Sequence, residues 1–173
     1  KSYPDMPVPA DQDAGVYTDY NNRDLLVKGG AATVVIKNSK YYLEDLVTTY
    51  APTNENPPQF RYVRSLIQDW NVRYGYFLLE EVNVVDKAIA EDDQAVNVQN
   101  TIKPKQWLQV LRSYADDLAE RNLIISPDFM KDSLQVGTND TNPDRIDTSF
   151  KYKRSPFARI ASTTATAGFG FGL

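Results

Sequence analysis

The sequence predicts an α+β domain, a small β-sheet packed on two long helices and completed by strand exchange from neighbouring subunits. Three patterns carry this expectation. Apolar residues recur at three- and four-residue steps over 59–85 and again over 104–121, which is helical spacing. β-Branched and aromatic runs at 32–36 and 41–49 flank the polar link Lys37-Asn38-Ser39-Lys40, which is hairpin chemistry. Residues 163–173 alternate with a period of two, with Ala165, Ala167, Phe169, Phe171 and Leu173 on one side and Thr164, Thr166, Gly168, Gly170 and Gly172 on the other.

Residues 1–20, rich in Pro, Asp and Tyr, read as an extended connector, and a start at Lys1 rather than Met leads us to expect an upstream part. A short helix over 21–26 follows, with Asn21 or Asn22 as its cap and Gly29-Gly30 as its stop. After the hairpin, residues 51–58 form a Pro-rich loop that ends where a helix can begin. In the helix over 59–85, Phe60, Val63, Ile67, Trp70, Tyr74, Phe77, Leu78, Val82 and Val85 mark the apolar positions, and Asn71 or Gly75 is a candidate break. The acidic stretch 87–100 reads as an exposed loop. Pro104 suits the first turn of a second helix, whose Trp107, Val110, Leu111, Tyr114 and Leu118 share a face. Ser126-Pro127-Asp128 caps a short turn, 134–136 reads as a strand, 137–144 as a turn cluster and 145–153 as a strand. The chain thus divides into a connector (1–20), an α+β domain (21–153) and a linker with an arm (154–173).

The terminal alternation needs a partner. Glycine brings no side chain to pack and loses the most backbone entropy on ordering, so a Gly-x-Gly-x-Gly strand does not hold its own shape. A strand lent to another subunit is one solution, because β-augmentation draws affinity from main-chain bonds and register from alternate side chains. An edge strand within the chain, or a frayed end, is the alternative on the tail alone. The small sheet favours lending: few strands leave exposed edges, which proteins normally cover.

Composition excludes several chemistries. At 173 residues the chain suits one domain with arms, and it contains neither cysteine nor histidine. Disulfides, thiolate or imidazole metal sites and Ser-His or Cys-His nucleophiles are therefore ruled out, and no cofactor is called for. Paired acids at 80–81, 92–93 and 116–117 point to different sides of a helix or loop and do not converge, so no enzyme is expected. Asn139, Asp140, Asn142 and Asp144 are spaced like oxygen ligands, but the Gly and Glu of a calcium loop are missing and a turn is the better account. Gly168 to Gly172 has no helix after it to bind a dinucleotide. Tyr41, Tyr42, Trp70, Tyr74, Tyr76 and Trp107 read mostly as core, with base stacking as the alternative. No apolar run reaches the ~18 residues of a membrane span. Residues 145–173 carry five cations and Asp147 as the one acid, a net +4 that leaves -8 on residues 1–144 of a chain of net charge -4. Such a basic tail suits tail-to-body contact between copies, or a nucleic-acid-binding module as the second hypothesis.

Several stretches together resemble a known family. Asn22-Arg23-Asp24-Leu25-Leu26, then Gly30-Ala31-Ala32-Thr33-Val34-Val35, then Leu46-Val47-Thr48-Thr49-Tyr50 resemble the opening of the C-terminal domain of contractile phage tail sheath proteins, the Mu-like ones especially. Phe60 to Leu66, Ile102-Lys103-Pro104-Lys105 and Asn142-Pro143-Asp144-Arg145-Ile146-Asp147 continue it in the same order, so that the likeness covers roughly residues 15–173. The Gly alternation at the end departs from relatives that finish in an apolar or aromatic run. The resemblance implies a structural subunit that polymerises as stacked rings or a helical sheath around a tail tube and contracts to drive the tube through the target envelope. It also implies partners in further copies, the tail tube protein and the baseplate and tail terminator proteins, a place in the virion tail after assembly in the host cytoplasm, and neither membrane insertion nor direct nucleic-acid contact. Under it Thr163, Ala165, Ala167, Phe169, Phe171 and Leu173 are the inter-subunit strand, Arg154, Pro156 and Arg159 the arm linker, and Arg61, Arg64, Lys103 and Lys105 the candidate tube contact.

Overall fold

A computed structural model describes residues 2–3, 19–38, 40–51, 54, 59–158 and 161–165. Among them are four helices and several short strands, a mixed α+β arrangement. Helix α1 spans Tyr20–Lys28, and its N-cap is Asp19 rather than Asn21 or Asn22, because the Asp19 carboxylate accepts the Asn21 N–H at 3.0 Å. Its end is a Schellman turn: Ala31 N–H reaches Leu26 O and Gly30 N–H reaches Val27 O. Gly30 sits at φ 84°, and a Cβ there would meet the Thr49 backbone at 3.1 Å, so the glycine is required twice over.

The hairpin is present as β2 (Thr33–Lys37) and β3 (Lys40–Asp45), turned through Asn38 at φ 51°. Its β3 edge is covered by β1 (Ser2–Tyr3), which gives the order β1-β3-β2. Two residues of the expected connector are thus sheet. The bidentate pair of Arg23 with Glu44, at 2.5 and 3.2 Å, ties α1 to this sheet. From Leu46 to Thr48 the chain then pairs with 61–63 through the Val47–Tyr62 bridge and the 2.7 Å bond from Thr48 N–H to Arg61 O.

Helix α2 (Val63–Asn83) runs unbroken through Asn71 and Gly75 for 21 residues. The stretch 87–100, expected as loop, opens with β4 (Ala88–Ile89), which pairs in parallel with β5 (Thr101–Ile102) and closes the stretch on itself. Helix α3 (Pro104–Glu120) begins at its proline as expected. Two amides at its start are satisfied by side chains: Oε1 of the helix's own Gln106 accepts the N-cap Lys103 N–H at 3.2 Å, and from outside Asp92 Oδ1 accepts Lys105 N–H at 2.9 Å. Helix α3 ends in a second Schellman turn with Asn122 at φ 55°.

Beyond it, β6 (Ile124–Ile125) pairs with β9 (Lys153–Arg154), α4 (Pro127–Ser133) replaces the expected short turn, and β7 (Gln135–Thr138) pairs with β8 (Ile146–Ser149). The single small sheet that the sequence suggested is therefore divided among one three-stranded and three two-stranded pairings in the described residues.

The core is built around α3. Trp107, Leu111, Tyr114, Ala115 and Leu118 are buried, with Val72, Ile102, Ile124 and Met130 packed against them. Tyr76 and Leu79 of α2 touch both halves of this core. Val72 and Tyr76 lie near Tyr114, and Tyr76, Leu79 and Val84 near Trp107, so the two helices run antiparallel.

Candidate functional site

The expected functional elements fall at the chain's exit from the core, along the sheet edges and on the helix surfaces. The exit is built by α2 and β9. Arg154 donates Nε to Asp69 Oδ1 at 2.8 Å, Nη2 to Asp69 Oδ2 at 2.6 Å and Nη1 to Gln59 O at 2.8 Å. Tyr152 adds its hydroxyl to Asp69 Oδ1 at 2.8 Å, and the guanidinium lies 5.4 Å from the Phe60 ring centre. Partial burial of the Asp69 carboxyl raises its pKa, but the hydrogen bonds from Arg154 and Tyr152 and the guanidinium charge outweigh this and hold it below its ordinary 3.8. Burial, with the bond to Asp69, pushes Tyr152 up to about 12. One residue on, Ser155 is buried: its N–H reaches Leu123 O at 3.1 Å, and its O accepts Gln68 Nε2 at 3.0 Å.

Arg154, expected in the linker, is thus held as part of the body. Pro156 is exposed, and Arg159 lies outside the described residues. Of the residues expected to form an inter-subunit strand, Thr163 and Ala165 are exposed and belong to no helix or strand, whereas Ala167, Phe169, Phe171 and Leu173 lie outside the described residues.

The four cations considered for a tube contact divide into two pairs. Arg61 and Arg64 stand at the start of α2, where Arg64 packs 4.5 Å from the Tyr62 ring centre and 5.1 Å from that of Phe157. Lys103 and Lys105 stand at the start of α3, which the antiparallel packing sets beside the far end of α2. Lys103 Nζ bonds to Asp92 O and Gln94 O, and Lys105 Nζ lies 3.9 Å from Asp92. About 30 Å of helix separates the pairs. They do not form one cationic patch.

Other basic residues near the end of the chain have structural partners. Arg145 pairs with Asp147, Arg154 with Asp69, and Lys153 lies 4.4 Å from the Phe129 ring centre. The acids too are engaged: Glu80 accepts from Tyr76, Asp116 pairs with Lys131, and Asp117 pairs with Arg121. Asn139 Oδ1 accepts Thr141 N–H, Thr141 Oγ1 and Asn142 N–H, so the supposed ligand run is a turn closed on its own backbone. Among the described residues no group of three acids could hold a metal ion, and no helix is long and apolar enough to cross a membrane.

The β7–β8 ribbon has open surroundings. A shallow cleft of about 490 Å³ is lined by Val136, Gly137, Arg145, Asp147 and Thr148, and a Cβ at Gly137 would meet nothing within 4 Å. Trp107 fixes the ribbon to α3 by donating Nε1 to Thr148 Oγ1 at 3.0 Å.

The aromatic residues correct one expectation. Trp107 and Tyr41 are buried, but Trp70 and Tyr74 are 64% and 63% exposed rather than core. Comparison with protein-family models and with curated proteins finds no match.

Proposed function

We propose that the chain is a structural subunit of a contractile tail sheath, polymerising around a tail tube and linked to neighbouring copies by exchanged β-strands. Contraction of that sheath drives the tube through the target envelope. The order of sheath-like motifs over residues 15–173 supports this. The observation that carries the mechanical part is the exit of the chain: Arg154 and Ser155 are locked to α2 and β6, and by Thr163 the chain is exposed and outside every element, just before the Gly-alternating tail.

In this role Thr163, Ala165, Ala167, Phe169, Phe171 and Leu173 add a strand to an open ribbon edge of another copy. Residues 156–162 are the link, and the Asp69–Arg154 clamp is where load enters the body. Rotation of subunits to bury more surface releases stored free energy while main-chain bonds of the exchanged strand persist as a hinge. The hairpin illustrates the chemistry locally, since a two-residue strand, β1, already adds to its β3 edge. Further copies, the tail tube protein and the baseplate and terminator proteins are the partners proposed, with the virion tail as the location.

Deleting Thr163 to Leu173 tests this. The truncated chain is expected to stay folded, with an unchanged circular dichroism melt, and to form no tubes in negative-stain micrographs where the full chain forms striated ones. Tubes from the truncated chain would exclude strand lending by this segment.

A further inference from the structure

Two helices of this chain carry exposed apolar surfaces that differ in charge. Along α2, Ile67, Trp70, Tyr74, Phe77, Leu78 and Val82 are exposed on the side turned away from the buried Gln68 and Val72. Glu81 stands among them, exposed and without a partner among the described residues. The uncovered area is on the order of 700 Å², near the ~800 Å² each partner contributes to a standard interface. Helix α1 turns Arg23 and Val27 inward, which leaves Leu25 and Leu26 67% and 45% exposed on its outer side, with the Lys28 side chain 64% exposed beside them. Other exposed rings already have a cation over them: Arg154 over Phe60, Arg64 over Phe157 and Lys153 over Phe129. The two leucines of α1 have no such cover.

The two surfaces match in one direction only. When α1 of another copy is laid parallel to α2 with Leu25 beside Phe77 and Leu78, Lys28 lies about one turn further on, level with Glu81. Its aliphatic stem then runs over Val82, and its ammonium meets the carboxylate that α2 leaves unpaired within its apolar side. Laid antiparallel from the same starting contact, Lys28 comes level with Tyr74 and the exposed Arg73, cation beside cation, and Glu81 gains nothing. Lys28 now pairs with Asp24 one turn back at 2.8 Å, an exposed helix pair that costs little to exchange. Because the surfaces are different, each copy offers one and receives the other. Such a contact is heterologous, keeps one polarity along a row of copies and does not close after two.

We propose that the outer face of α2 is a docking surface for α1 of a second copy of this chain, the two helices parallel and Lys28 of one copy against Glu81 of the next. The contact is separate from strand lending and does not rest on it.

Sedimentation over a concentration series tests this, on the full chain and on the chain lacking Thr163 to Leu173, which separates association through the helices from association through the tail. Both are expected to exceed the mass of a dimer as concentration rises. A shortened chain that stays monomeric, or stops at a dimer, would overturn the proposal. In the shortened chain Leu25→Glu and Phe77→Glu should each be monomeric with unchanged thermal melts. Their equimolar mixture should form a heterodimer, since each variant keeps the surface that the other lacks. Association of either variant alone, or a mixture that stays monomeric, would refute the pairing. Glu81→Lys should weaken association roughly tenfold, and adding Lys28→Glu should restore it, because every contact in the row then carries the reversed pair. No recovery would overturn the parallel arrangement.

Discussion

Gly75 is a contact site and not a break. A Cβ there would stand 2.5 Å from Tyr114 Oη and 3.2 Å from two ring carbons, and that hydroxyl is occupied in donating to Val72 O at 2.7 Å. Tyr114 is buried, so its ring has little room to withdraw. Gly75→Ala is therefore expected to destabilise by about 1–3 kcal/mol despite the better helix propensity of alanine. Urea unfolding measures this, and a gain in stability would show that the two helices can separate at no cost. In the sequence Gly75 stood out only as a weak helix former, because a crossing helix about 40 residues away leaves no mark beside it. The Asp69 clamp was illegible for the same reason, since Asp69 lies over 80 residues before Tyr152 and Arg154. It has a pH signature. The folded-state pKa of Asp69 is lowered, so its contribution is present above about 3.8 and is lost as pH falls through the folded value, where the unfolded chain binds the extra proton. The stability difference between wild type and Asp69→Asn should narrow steadily below about pH 4. An unchanged difference down to pH 2 would contradict it.

At the scale of elements, α3 was legible and α2 was legible only in period. Helix α3 has polar residues on one side, so its apolar stripe names the buried face, and Pro104 fixes its start. Helix α2 is apolar nearly all round. Its spacing announces a helix, but Val72, Tyr76 and Leu79, which face the core, look no different in sequence from Trp70, Tyr74 and Phe77, which do not. Short pairings such as β4–β5 and β6–β9 were missed because two residues hold no period. Trp107 joins helix to ribbon, and Trp107→Ala is expected to cost about 3–5 kcal/mol, as for other buried aromatics. Trp107→Phe separates the contributions. It should keep most of the packing and lose about 1 kcal/mol with the bond to Thr148, whereas a loss as large as that of the alanine variant would mean that ring volume is not the main term.

At the scale of the whole molecule, α1, the hairpin, α2, α3 and the β7–β8 ribbon follow the order read from the sequence, but β4, β5, β6 and α4 were not anticipated and neither was the assembly. The expected single sheet is several ribbons, since strand pairing across more than twenty residues depends on where helices place the strands. The exit of the chain shows how far this reaches. Gln68 donates one amide to Ser155 O at 3.0 Å and lies 3.4 Å from Leu123 O, and Ser155 N–H closes the triangle to Leu123. Three segments separated by 55 and 87 positions meet there. Loop closure over such lengths comes late in folding, because its entropy must be met before the contact rewards it. The Ser155 amide proton is thus a natural clock. It becomes protected from exchange only once α2, the turn after α3 and the final strand have all arrived, so its protection time in a pulse-labelling experiment dates completion of the body.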